Sequence, residues 1–100
     1  MKHARSEMNA EFEKVMKSAT AFDAAAPFKL YEFAASTRAA QENWVKWMEG
    51  QCTIEGMMTF GASAPSPGYE MCAKDLLITR TKALAALRAQ FDEATRGFKN

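Results

Sequence analysis

Residues 39–79 read AAQENWVKWMEGQCTIEGMMTFGASAPSPGYEMCAKDLLIT, and they hold both cysteines, both tryptophans and the one clear interruption in a helix-patterned chain. The interruption is 61–68, GASAPSPG: small residues, two prolines that cannot continue a helix, and a glycine at each edge. Before it, starting at Pro27, the residues Leu30, Ala34, Thr37, Gln41, Trp44, Met48 and Cys52 fall on one helical stripe, flanked by Phe33, Ala40 and Trp47. That pattern runs on through Ile54 to about Phe60. After the loop, Cys72, Leu76, Thr79, Ala83, Leu87, Phe91, Ala94 and Phe98 recur three and four apart from about Tyr69 to Arg96, where Gly97 is placed to supply a left-handed stop. Two helices joined by so short a loop fold back on each other and bring Cys52 and Cys72 to one level. The spacing predicts a disulfide-stapled helical hairpin, with a pair of buried free thiols as the alternative.

Upstream, Met8, Phe12, Val15, Met16, Ala19 and Phe22 make the apolar face of an amphipathic helix over Arg5–Phe22, with Ser6 as its cap and residues 1–5 as a flexible tail. Pro27 suits the first turn of the next helix. Strand-like alternation is absent throughout. The expected fold class is all-α: one domain over 1–100, a small antiparallel bundle of three helices with a hairpin loop at 61–68. Gly50 and Gly56 each weaken the long second helix, and a break at either would make four.

Composition narrows the function. Thirteen Lys and Arg against 12 Asp and Glu give a formal charge of +1 in 100 residues, with the basic residues interleaved among acids. The electrostatic footprint of a nucleic-acid binder or of an anionic-membrane binder is missing. No apolar run spans a bilayer, and the first residues, MKHARSEMNAEFEK, lack the apolar centre of a signal peptide. An oxidised cysteine pair belongs to an oxidising compartment, so the expected home is the periplasm, with this chain as the mature form.

Chemistry is hard to find. His3 is the single imidazole and sits among charged residues near the start, so neither a catalytic base nor a four-ligand Cys/His zinc site can be assembled. Asp75 close to Cys72 would raise rather than lower a thiol pKa. Trp44 and Trp47 are able to stack a sugar or a base, but helical spacing beside Met48 reads first as core for both. No catalytic residue, metal or cofactor is expected. What stands out is apolarity around the loop, from Met57, Met58, Phe60, Ala62, Pro65, Pro67, Tyr69 and Met71, and Met57, Met58, Phe60, Ser63, Pro65, Ser66 and Tyr69 are the candidate partner-binding residues. The competing uses of the same residues are closure of the bundle end and a homodimer contact.

Gln41-x-x-Trp44-x-x-Trp47-x-Glu49-x-x-Cys52, then a Gly/Pro loop, Cys72 and Thr79, resembles the signature of the lysozyme inhibitor LprI-like N-terminal domain family; Met8-Asn9-x-x-Phe12 is similar to that family's Leu-Asn-x-x-Tyr element. The resemblance covers roughly Met8 to Leu84. It departs at Met48 and Glu49, which stand in the places of an Arg and an Asp, at Lys82 in place of an Arg after Thr79, and in lacking an N-terminal cysteine-bearing segment. The resemblance implies a small helical envelope protein that blocks a peptidoglycan-degrading enzyme. Near-neutral charge favours an immunity protein against a type VI secreted amidase over an inhibitor of strongly basic lysozymes. A structural or chaperone-like periplasmic protein and a small-ligand carrier built on the two tryptophans are the remaining alternatives.

Overall fold

The computed structural model describes residues 2–29, 31–60 and 67–99. They form three helices in chain order, α1 over Lys2–Ala25, α2 over Phe33–Phe60 and α3 over Pro67–Lys99, with no strand among the described residues. The molecule is a rod of 56 × 23 × 14 Å.

Side-chain contacts set the helix directions. Gln41 Nε2 approaches Met8 Sδ at 3.5 Å, and Arg80 Nε donates to Gln41 Oε1 at 2.9 Å, so residues 8, 41 and 80 share one level. At the far end Phe22 packs on Phe33, Phe91 and Phe98, with ring centroids 4.8, 5.6 and 5.2 Å away. α1 and α3 therefore run parallel, and α2 runs against both.

The core follows the 3.6-residue period. Met8, Phe12, Val15, Ala19 and Phe22 of α1 meet Met48 and Cys52 of α2 and Ala73, Leu77, Leu84 and Phe91 of α3. The α3 stripe read from sequence is displaced: Thr79, Ala83 and Ala94 are exposed, and Leu76 and Leu87 are half-buried. α3 touches both other helices, so its inward surface is split: Cys72 and Arg80 reach α2 on one side, and Arg88 reaches α1 on the other.

Several boundaries differ from expectation. α1 begins at Lys2, so Ser6 lies inside the helix instead of capping it, and the segment read as a tail is helical from its second residue. α2 begins at Phe33 and not at Pro27, because its first amides find their acceptor outside their own segment. The Asp23 carboxylate accepts hydrogen bonds from Phe33 N at 3.0 Å and Ala34 N at 2.9 Å, a cap lent by α1. α2 is one unbroken helix through Gly50 and Gly56, which leaves three helices and not four. Gly97 lies within α3, which continues to Lys99. The expected 61–68 loop is shorter at its end, since Pro67 and Gly68 open α3; residues 61–66 lie outside the described residues.

Cys52 and Cys72 form a disulfide between α2 and α3, with Cα atoms 5.4 Å apart. The stapled hairpin is observed, and no free cysteine remains.

Candidate functional site

Helix lengths decide what is exposed. From the shared level of Met8, Gln41 and Arg80, the described part of α1 reaches about 9 Å toward the loop, to Lys2, a height that α2 reaches near Trp47 and α3 near Lys74. Beyond that height α2 continues for about 20 Å to Phe60, and α3 accompanies it for about 10 Å, back to Pro67. Two helices bury one seam between them and leave their other faces in water. The seam holds Cys52 and Ala73, both fully buried, while Ile54 is 56%, Met57 55%, Met58 76% and Met71 69% exposed.

Of the seven residues expected to bind a partner, Met57 and Met58 are exposed on this projection. Tyr69 is half-buried and packs against the core, so the first turn of α3 is anchored to the seam. Ser63, Pro65, Ser66 and the side chain of Phe60 lie outside the described residues. Met71, part of the apolar tip expected from sequence, is exposed there as well, and Ile54 belongs to the same region but was read only as a continuation of the α2 pattern.

The projection has its own charge. Along residues 49–75 the ionisable side chains are Glu49, Glu55, Glu70 and Asp75 against Lys74 alone, whereas the whole chain carries +1. The cations are concentrated along the three-helix body. One of them, Arg88 on α3, pairs with Glu11 on α1 through Nε and Oε2, and this hydrogen bond, followed by the charge of Glu11, raises the guanidinium pKa.

A second constellation lies at the level where the three helices meet. Gln41 is buried, bonded on one side to Met8 Sδ and on the other to Arg80, whose guanidinium carbon sits 5.5 Å from the Trp44 ring centre. Burial pushes the Arg80 pKa down. Gln41 and Trp44 are the residues of the sequence signature, and Arg80 is the partner the sequence reading overlooked, since no local pattern ties position 80 to position 41. Trp47, expected in the core, is 53% exposed, its ring 6.4 Å from that of Trp44. It lies on the flank of α2, about 100° from the buried Met48.

An open depression beside the α1–α2 turn, lined by Asp23, Lys29, Tyr31 and Glu32, is remote from the hairpin end. Among the described residues no three His, Cys, Asp or Glu side chains gather as metal ligands, and no helix is long and apolar enough to cross a membrane.

Comparison with curated proteins gives no match, and comparison with solved structures gives none. The family model described as lysozyme inhibitor LprI matches residues 1–87, a span that takes in α1, the whole of α2, both cysteines and the Gln41–Arg80 contact. On that match the chain belongs to the lysozyme inhibitor LprI family.

Proposed function

We propose that this protein binds a peptidoglycan-degrading enzyme outside the cytoplasm, in the periplasm, and blocks it sterically with the end of its disulfide-tied hairpin. The observation that carries the reading is the projection itself: exposed Met57, Met58, Ile54 and Met71 beyond a covalent tie, in a chain of an inhibitor family. Flexible, polarizable methionines adapt to a cleft wall, and the tie holds the two helices together before contact, which lowers the ordering cost of binding. Blocking needs no chemistry from the inhibitor.

The target we infer is a basic, lysozyme-type glycosidase. Partners feel the charge of the surface that meets them, because bulk salt screens charges beyond about 8 Å. The surface offered is the acidic projection, not the near-neutral whole, so Glu49, Glu55, Glu70 and Asp75 outweigh the argument for an amidase drawn from total charge. An immunity role against a type VI secreted amidase is the second reading, favoured by the formal charge of +1.

The test is inhibition of peptidoglycan hydrolysis by a basic lysozyme and, in parallel, by a secreted amidase. Met57→Asp and Met58→Asp should each raise the inhibition constant at least about tenfold, the scale of one lost interface anchor, with unchanged far-UV helicity. Inhibition of the amidase alone would replace the first target by the second. Failure to inhibit either enzyme, with no cell-wall hydrolase captured from envelope extract, would remove the proposal.

A further inference from the structure

Arg80 is an anomaly that the inhibitor reading does not use. Its guanidinium is half-buried, its Nε is spent on Gln41, and among the described residues no carboxylate pairs with it. Arg88, by contrast, has Glu11. A charge held partly out of water without a counter-charge costs stability, and burial accordingly pushes its pKa down. Arginine has five N–H donors, so the two Nη groups keep four that no described residue accepts. Those groups are not sealed from solvent, because no fully buried side-chain nitrogen or oxygen in the described structure lacks a partner.

The group is also held still. Gln41 Oε1 fixes one edge at 2.9 Å, Trp44 lies along its face at 5.5 Å, and Gln41 is itself fixed through Met8. Next to Trp44, Trp47 presents an indole that is 53% exposed and that the core does not need. Trp44 is thus the common neighbour of a set of free guanidinium donors, 5.5 Å from its ring centre, and of an open indole, 6.4 Å away. A planar fork of donors suits a carboxylate bidentately, and an exposed indole suits the apolar face of a pyranose.

We propose that Arg80, Trp44 and Trp47 form a binding site for a carboxylate-bearing sugar, with the guanidinium taking the carboxylate and Trp47 stacking on the ring. A single guanidinium backed by the neutral side chains of Gln41, Trp44 and Met8 matches one monovalent carboxylate. The site is on the flank of the three-helix body, apart from the projection, and does not depend on the inhibitor reading.

The experiment is a titration of the oxidised full chain with N-acetylmuramic acid, followed by tryptophan fluorescence and by the two indole N–H signals in a proton–nitrogen NMR spectrum. N-acetylglucosamine is the neutral counterpart, glucuronic acid a second acidic sugar, and acetate the bare carboxylate. Saturable shifts of both indoles are expected with N-acetylmuramic acid, with N-acetylglucosamine and acetate each at least about tenfold weaker, as loss of a charge-assisted bond or of a stacked ring implies. Comparable binding of glucuronic acid would assign the site to acidic sugars in general, and weaker binding to the lactyl ether; both keep the proposal. Trp47→Ala, at an exposed residue outside the core, should abolish the response with little change in thermal stability, and Arg80→Lys should weaken it while keeping the charge. Met58→Asp should leave it intact, which separates this site from the hairpin end. Equal responses to the acidic and neutral sugars, an equal response to acetate, or no response would overturn it.

Discussion

Asp23 shows how much one side chain can decide. Located near the end of α1, its carboxylate takes two amide hydrogens at the start of α2 and so fixes both where α2 begins and how the chain turns between them. Replacing a capping side chain by Ala costs about 0.5–2 kcal/mol, and this one serves two helices, so Asp23→Ala is expected at the upper end in urea unfolding. Gln41 is the second such residue. Gln41→Leu fills the same space but leaves Arg80 Nε without its acceptor, a loss of about 1–3 kcal/mol, and Gln41→Glu should recover part of it by pairing the charge. The Arg88–Glu11 pair behaves simply with pH. A raised pKa on a base means its contribution is complete below the ordinary guanidinium range and is lost only as pH climbs through the raised value, so it stays constant across neutrality.

Elements inherit these decisions. The existence of three helices and the facing of α1 and α2 are legible in the sequence, because Met8 through Phe22 and Thr37 through Cys52 each keep a single apolar stripe. The disulfide was legible too, from a loop flanked by cysteines at matching heights. Boundaries were not. Pro27 permits a helix start, but Asp23, a residue from the previous helix, chooses Phe33. Gly97 permits a stop, yet Phe98 packs on Phe22 and Phe28, and that contact draws the last turn onward. Trp47 was misplaced because three-residue spacing from Trp44 suggests one face, whereas the core lies on the Met48 side. At this scale the disulfide is testable. Closing a loop of this size stabilises by about 3 kcal/mol in the chain-entropy view, so Cys52→Ser with Cys72→Ser should lower the guanidinium midpoint accordingly. Hydrogen exchange should divide the molecule: amides of α2 beyond Cys52 and of α3 before Cys72 exchange faster than those around Val15, Leu77 and Leu84, and the double variant widens the gap.

The whole molecule is longer than its size requires. A compact chain of 100 residues has a radius of gyration of about 13 Å, against 16.6 Å for this one, and small-angle scattering should return the larger figure for a monomer. A homodimer formed through the exposed methionines would lengthen the scattering profile further and would disappear with Met58→Asp. The excess length comes from helices of 24 to 33 residues lying side by side. The exposed apolar face was legible only in part, because Met57, Met58 and Met71 could be read as apolar near a loop, while Ile54, deeper in the α2 pattern, gave no such sign.

The position of the disulfide, at the base of that projection, also governs how freely the protein can vary. Contacts past Cys52 and Cys72 carry little of the core, and the covalent tie keeps the two helices paired whatever side chains they bear. Ile54, Met57, Met58 and Met71 are thus open to drift, able to follow a changing target or to be randomised toward a new one at small cost to folding. A library at these four positions should consist mostly of soluble, helical proteins, whereas one at Met8, Met48, Leu77 and Leu84 should not.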